Sequence, residues 1–152
     1  MPAMDVEIGR DTLLALAAIA WADGTIDPAE ASGIRSAAQQ LGLGPEDLKT
    51  VEGTLAQPVP LERVETVRMS RLTRLFTYAA ANWIAQIDGA VPPKEQQALD
   101  LLGDRLGLSR VARERATTVS RSLAQAASTP EGLDVLKLRS RLSARLSQIG
   151  ND

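Results

Sequence analysis

The feature that most constrains the fold is an internal repeat, which becomes visible when the 152-residue chain is aligned with itself at a shift of 65 residues. Residues 13–43 then align with 78–108, and ten of the 31 aligned positions are identical. The matches fall on apolar positions with helical spacing, on an Asp-Gly turn and on a Leu-Gly-Leu ending. A duplicated helical hairpin has this pattern, because the same packing problem is solved twice. We expect the two copies to pack about a pseudo-twofold axis.

Helical spacing of apolar residues continues along nearly the whole chain, and no segment alternates as a half-buried strand would. We therefore predict an all-α protein, an orthogonal or antiparallel bundle of about seven to eight helices with two pseudo-symmetric helical hairpins. The predicted helices cover 11–22, 28–42, 45–56, 61–67, 69–87, 93–107, 110–127 and 130–148. Helix-start signals support these bounds, namely Asp27 before Pro28, Gly44 before "PEDL" and Thr129 before "PEGL". The predicted organisation is a duplicated-hairpin domain over 1–128 and an amphipathic basic helix over 129–152, packed on the same domain.

The composition excludes several kinds of site, because the chain contains no cysteine and no histidine. Disulfides, zinc-thiolate sites and a Ser-His-Asp triad are impossible without them. A metal ion would have to bind oxygen ligands, which favours Mg²⁺, Ca²⁺ or Mn²⁺. No constellation of acids indicates a substrate pocket either. We predict that the protein is not an enzyme and has no catalytic residues and no organic cofactor.

Two features of the sequence, its N-terminal segment and its longest apolar run, bear on localisation. The N-terminal "MPAMDVEIGR" lacks the basic-then-apolar order of a signal peptide. The longest apolar run, "LLALAAIAWA" at 13–22, has ten residues, about half of the roughly 20 that span a bilayer. We expect a soluble, cytoplasmic protein.

The net charge of −2 is unevenly distributed. Residues 1–62 contain three basic and ten acidic side chains, whereas residues 109–152 contain eight basic and four acidic ones. This pattern is typical either of a solvated surface with uneven charge or of a polarised surface that meets two different partners. The pI of about 5.2 and the few aromatic residues, which do not interleave with basic ones, argue against nucleic-acid binding.

The hairpin "ALAAIAWADGTIDPAEASGIRSAAQQLGL" resembles the helix–DG–turn–helix unit of the tellurite-resistance TerB-like family. That unit occurs twice in one all-helical domain, and residues 78–108 supply the second copy here. The resemblance covers about 11–108, and the tail from 109 onward resembles nothing specific. It implies a link to tellurite and other stress responses and to membrane-associated complexes. Acidic residues at the turns of that family have suggested metal binding.

The first turn contains half of a calcium-binding loop. With Gly24 at position 6, the residues at positions 5, 9 and 12 are Asp23, Asp27 and Glu30. Positions 1 and 3 are then Ile19 and Trp21, which offer no oxygen ligand. The structural interpretation is that Gly24 ends one helix while Asp27 and Glu30 cap the next. The alternative is a weak, hydrated Ca²⁺ or Mg²⁺ site at Asp23, Asp27 and Glu30.

The second turn is a poorer ligand set. It offers Asp88 and Glu95, but Pro92 replaces the capping aspartate and Lys94 adds a positive charge. The second turn thereby departs from the acid-rich turns of the family, which argues against metal binding there.

The two tryptophans, Trp21 and Trp83, are interpreted as core filling between the hairpins, with a half-exposed binding groove as the alternative.

Two basic segments are candidate interaction surfaces. Arg68, Arg71 and Arg74 lie three residues apart, and they form either an anionic docking stripe or a solvated face paired with Glu62 and Glu65. The last helix has an apolar stripe and flanking basic residues. The stripe consists of Val135, Leu138, Leu142, Leu146 and Ile149, and the basic residues are Lys137, Arg139, Arg141 and Arg145. Such a helix packs on its own domain, or it serves a partner helix, a dimer or an anionic membrane surface.

From these features we form the hypothesis that the protein is a non-enzymatic TerB-like helical module, which acts as a protein-interaction component of a bacterial stress-response system. Its partners would be other proteins or a second copy, with peripheral contact to an anionic membrane or membrane complex and no nucleic acid. The alternative function is a weak divalent-metal-binding protein that senses or buffers Ca²⁺ or Mg²⁺. Because the apolar stripe of 130–149 must cover something, we expect this segment to be the one that mediates association.

Overall fold

The computed structural model describes residues 9–87, 91–127 and 132–149, without the side chains of 145–149. Within these ranges it contains seven α-helices, one short 3-10 helix and no strand, which confirms the all-α prediction. The helices are α1 (Arg10–Ala20), α2 (Pro28–Gln40), α3 (Pro45–Ala56), α4 (Arg71–Ala85), α5 (Pro93–Arg105), α6 (Arg110–Ala126) and α7 (Val135–Ile149), and the 3-10 helix is Leu61–Arg63.

Two predicted helix bounds are wrong. The predicted helix 61–67 is only the 3-10 turn Leu61–Arg63, because Val64 is extended and its carbonyl accepts a hydrogen bond from Arg105. The last helix begins at Val135 rather than at 130, and residues 132–134 are not α-helical. The Asp134 carboxylate accepts the backbone N–H of Lys137 at 3.0 Å, so Asp134 provides the N-terminal cap. The cap expected at Thr129 lies outside the described residues.

The repeat extends further than the aligned hairpins. Helices α2 and α5 each have 13 residues and begin 65 positions apart, at Pro28 and Pro93. Helices α3 and α6 begin at Pro45 and Arg110, which are also 65 positions apart. The repeating unit is therefore three helices, with α1–α3 as unit 1 and α4–α6 as unit 2. Helix α7 stands outside both units.

Both units end their second helix in the same way. Gly42 and Gly107 follow the helix ends with φ of 70° and 68°. The N–H of Leu43 bonds the carbonyl of Ala38 at 3.4 Å, and the N–H of Leu108 bonds that of Gly103 at 3.1 Å. These are paired Schellman motifs, which need glycine because a side chain is strained at positive φ. The shared "LGL" of the sequence is explained by this backbone geometry.

A pseudo-twofold relation between the units is visible at one buried contact. The hydroxyls of Thr12 and Thr77 lie 2.9 Å apart, and both residues are completely buried. Thr77 is the 65-residue equivalent of Thr12. A residue touches its own equivalent only close to the axis that relates two copies. In agreement, α1 packs on α4, while α1–α5 and α2–α4 are reciprocal contacts.

Helix α4 is the centre of the molecule, since it packs against α1, α2, α5, α6 and α7. Twelve of its 15 residues are buried, and Trp83 is among the largest side chains of the core. Trp21 packs against the same core and donates its indole N–H to the carbonyl of Thr54 at 2.7 Å. The core-filling interpretation is confirmed for Trp83, whereas Trp21 is only partly buried and its hydrogen bond is to α3 of its own unit.

Helix α7 packs on α2, α4 and α6. Its apolar stripe is buried at Val135, Leu138 and Leu142, whose exposures are 0%, 0% and 1%. The stripe thus covers its own domain along this length, and Leu146 and Ile149 lie outside the described side chains. Among the described residues, no helix is long and apolar enough to cross a membrane.

Candidate functional site

The Asp-Gly turn between α1 and α2 uses its carboxylates to bind backbone. Asp23 Oδ1 accepts the N–H of Thr25 at 3.2 Å, and Asp27 Oδ1 accepts the N–H of Ala29 at 2.8 Å. The carboxylate of Glu30 accepts the N–H of Asp27 at 3.2 Å, which completes a capping box at the start of α2. Each of the three metal candidates therefore has a hydrogen-bonding role in the turn itself.

In this geometry the three carboxylates of the turn do not converge on a common point where an ion could bind. Glu30 is only 2% exposed and faces the helix start rather than solvent. In the described parts of the chain, no group of three or more Asp or Glu side chains is arranged to hold an ion. Of the second turn's candidates, Asp88 lies outside the described residues and Glu95 is buried at 3% exposure. Pro92 takes the cap position of α5 without a side-chain hydrogen bond.

The structure divides the arginine stripe of residues 68–74. The Arg74 guanidinium donates to three carbonyls, those of Met69 at 3.0 Å, Leu106 at 2.8 Å and Thr66 at 2.8 Å. It thereby ties the segment before α4 to the end of α5, where a cation also meets the negative end of the helix dipole. Arg68 and Arg71 are exposed, and neither forms an ion pair with Glu62 or Glu65, all of which are described residues.

Two more arginines hold the end of α5. Arg105 donates to the carbonyl of Val64 at 2.8 Å, which pins the segment between the units. Arg113 donates to the carbonyl of Leu108 at 3.0 Å and to Asp104 at 2.8 Å. These contacts show that much of the basic charge near the second hairpin serves the fold.

An exposed ion pair joins α2 and α3 in unit 1. Arg35 Nε lies 2.9 Å from Glu52 Oε2, and both side chains are about half exposed. The hydrogen bond from Glu52, followed by its charge, raises the pKa of Arg35 above its ordinary value. Because both groups are in solvent, the pair contributes little to stability.

The large apolar side chains exposed in the described part of the chain all belong to residues 63–152. Among the described residues, the exposed large apolar side chains are Val67, Leu101, Val111 and Leu136, with exposures of 84%, 58%, 52% and 43%. Three of them are sequence neighbours of an exposed basic residue: Val67 of Arg68, Val111 of Arg110 and Leu136 of Lys137. Residues 63–152 contain 14 basic and nine acidic side chains, so this surface belongs to the net positive part of the chain.

Helices α6 and α7 carry four of the exposed basic residues, namely Arg110, Arg121, Lys137 and Arg141. Arg121, Lys137 and Arg141 are exposed, and none of them forms an ion pair with another described residue. Arg110 is exposed and pairs with Glu114 at 3.4 Å, whereas Arg139 is half-buried. The side chain of Arg145 lies outside the description. We call Arg121, Lys137 and Arg141, with Val111 and Leu136, the basic face.

Three structural residues were not found by sequence reasoning. Thr12 and Thr77 lie one position before the aligned repeat, so extending the alignment by one residue would have found their identity. The Gln40 side-chain amide donates to the carbonyl of Leu133 at 3.0 Å and accepts the N–H of Val135 at 2.9 Å. No local signal in the sequence indicates that contact, because its partners are more than 90 residues away.

Comparison with known proteins identifies a family but no characterised relative. A family model described as a protein of unknown function, DUF533, matches residues 4–119. No curated protein and no solved structure matches the chain significantly. The matched region covers both three-helix units except the last residues of α6, and it ends before α7.

Proposed function

Since the chain belongs to the DUF533 family of proteins of unknown function, we propose its role from its own surface: it is a non-enzymatic helical module that binds an acidic protein partner. We further propose, from the resemblance of its duplicated hairpin to the TerB-like family, that this partner belongs to a bacterial stress-response assembly.

The observation that carries the proposal is the basic face. Its three basic side chains are exposed without ion-pair partners among the described residues, Leu136 is exposed next to Lys137 in the sequence, and Val111 adds a second exposed aliphatic side chain. A surface of this kind combines electrostatic steering with apolar area that a partner can bury. The acidic residues of the first turn, by contrast, are engaged in capping. The metal-binding alternative therefore draws no support from the geometry of that turn.

The experiment is affinity capture from the native host with the tagged full-length chain. The test variant carries Arg121→Glu, Lys137→Glu and Arg141→Glu, and the matched control carries Glu46→Lys, Asp47→Lys and Glu62→Lys in the acidic part. We expect the basic-face variant to lose the captured partner while the control keeps it, because only the first set removes the complementary charge. Equal capture by both variants, with both folded, would exclude the basic face as the docking surface.

A further inference from the structure

The inter-unit linker and the start of α6 come together at the C-terminal end of α5. Arg105 donates to the carbonyl of Val64 at 2.8 Å, and the hydroxyl of Thr66 donates to the carbonyl of Arg105 at 3.4 Å, so the linker lies against this helix end. Helix α6 follows at once, since it begins at Arg110. We call the surface formed by residues 66–71, 101–105 and 110–111 the α5-end surface.

This surface contains three of the four large apolar side chains that are exposed in the described part of the chain, namely Val67, Leu101 and Val111. Leu101 precedes Arg105 by four residues, which is about 6 Å along the helix axis. Val111 is the second residue of α6. Single exposed apolar residues are ordinary on a protein surface, whereas several in segments that meet at one helix end are typical of an interaction site.

Val67, the most exposed of the three, lies in a tightly held turn. The N–H of Met69 donates to the carbonyl of Thr66 at 3.1 Å, and because no described residue other than glycine has a positive φ, this is a type I turn. The Arg74 guanidinium donates to the carbonyls of Thr66 and Met69, at 2.8 Å and 3.0 Å. The backbone on both sides of Val67 is thereby fixed, so a partner that binds the turn loses little affinity to ordering it.

The fold itself does not require an apolar side chain at position 67. A type I turn accepts most residues, and Val67 is 84% exposed, so its side chain is not part of the core. The buried anchors of this segment are Val64 and Met69, at 1% and 7% exposure. A choice of residue that neither turn chemistry nor packing explains points to a role in function.

The charge of this surface that is not compensated is positive. Arg68 lies in the turn beside Val67, and Arg71 is the first residue of α4. Both are exposed, and neither forms an ion pair with another described residue. Asp104, by contrast, is paired with Arg113 at 2.8 Å. A surface of this kind is complementary to carboxylates that a partner supplies.

We propose that the α5-end surface docks an acidic amphipathic segment of a partner protein. Aliphatic side chains of that segment cover Val67 and Val111, and its carboxylates pair with Arg68 and Arg71. An anionic membrane fits less well, because stable anchoring to a bilayer takes a larger apolar element than these few side chains. The inference rests on the proposed function in one respect, that the partner is an acidic protein.

The position of this surface in the chain distinguishes it from the basic face. The α5-end surface lies inside residues 4–119, the region that the family model matches. Arg121, Lys137 and Arg141 of the basic face lie beyond that region. A binding function that members of the family share could therefore use the α5-end surface, but not those three basic residues.

The first experiment measures binding of a fluorescent helical peptide to the full-length chain. The peptide has about 18 residues, with leucines at i, i+3, i+4 and i+7 and glutamates beside that stripe. We expect Val67→Thr, which keeps the branched shape but adds a hydroxyl, to weaken binding at least about threefold. The double variant Arg68→Ser and Arg71→Ser should weaken it at least about tenfold. Lys49→Ser, at an exposed position of α3, is the control and should leave the affinity unchanged.

The second experiment separates this surface from the basic face, at about 0.15 M salt, where distant charges are screened. The chain with Arg121→Glu, Lys137→Glu and Arg141→Glu should still bind the peptide. A loss confined to that chain overturns this inference and leaves the proposed function, which the native-host capture tests, standing. Amide shifts of the wild-type chain, which need no variant, should be largest at 66–71 and 110–111 when the peptide is added.

Three results would overturn the inference. One is that the peptide does not bind the wild-type chain, and another is that amide shifts occur only outside the α5-end surface. The third is that anionic phosphatidylglycerol vesicles bind the wild-type chain through Val67 while the acidic peptide does not, which would make this a membrane surface. A peptide in which lysines replace the glutamates should not bind, because it repels Arg68 and Arg71.

Discussion

At the scale of single residues, Gly33 is a position where buried apolar side chains leave little room for a Cβ. A Cβ at this position would lie 2.8 Å from Ile87, 3.1 Å from Ile84 and 3.2 Å from Trp83. The equivalent residue in unit 2 is Ala98, and the equivalents of Trp83 and Ile87 are Ala18 and Ala22. Unit 1 therefore has the smaller residue, glycine, opposite the larger side chains Trp83 and Ile87, whereas the equivalent positions in the other direction are all alanine. This asymmetry explains why the repeat is incomplete at these positions.

We expect Gly33→Ala to destabilise the protein by about 1–3 kcal/mol, because the added methyl group must displace three buried side chains. Gly53→Ala is the control, since Gly53 is an exposed glycine inside α3 with no atom within 4 Å of its would-be Cβ. It should stabilise by about 0.4–1 kcal/mol through better helix propensity. Urea unfolding measures both, and a stabilising Gly33→Ala would show that the core at this point has spare room.

Two arginines of α4 have different roles: Arg74 is structural, whereas Arg71 lies on the surface. Removing the Arg74 guanidinium breaks three charge-assisted hydrogen bonds to backbone carbonyls, so we expect Arg74→Ala to cost at least about 2 kcal/mol. Arg71→Ala should change stability by less than about 0.5 kcal/mol, because Arg71 is exposed. Thermal melting of both variants is the measurement. Equal effects would mean that the Arg74 contacts do not persist in solution.

At the scale of elements, the sequence predicts helices best where local signals determine them. Asp27, Pro28 and Glu30 act within four residues of one another, and α2 begins where they place it. The predicted helix 61–67 was wrong because Val64 is held by Arg105, which is 41 residues away. The start of α7 was misplaced because Asp134 and the distant Gln40 determine it. Periodicity and caps are local, whereas these contacts depend on the assembled fold.

The first turn provides a prediction that separates capping from metal binding. We expect Asp27→Ala to cost about 0.5–2 kcal/mol, because α2 loses its N-terminal cap. A cap acts without an ion, so the loss should be the same in EDTA as in millimolar Ca²⁺ or Mg²⁺. Calorimetric titration of the wild-type chain should show weak heats at most, confined to this turn. A loss that grows when the ion is present would identify Asp27 as a metal ligand.

At the scale of the whole molecule, the fold was predictable and the candidate site largely was not. A repeat at a fixed shift implies two similar units, and the Thr12–Thr77 contact places them about a common axis. The stripe of α7 predicted a buried helix as one alternative, and burial at Val135, Leu138 and Leu142 selects it. Which arginines remain exposed depends on the position of distant carbonyls, so the charge pattern alone could not separate Arg74 from Arg68 or Arg71.

The central claim is that the acidic side chains of the first turn serve to cap a helix, whereas the exposed apolar and basic side chains of residues 63–152 bind a partner. Photo-crosslinking in the native host tests it most directly, with the crosslinking residue placed singly at Val67, Val111 or Leu136 and, as controls, at the exposed positions Ser32, Glu46 or Gly53 of unit 1. We expect a crosslinked protein partner at one or more of the first three positions and at none of the controls. Crosslinks confined to the unit 1 positions would contradict the account.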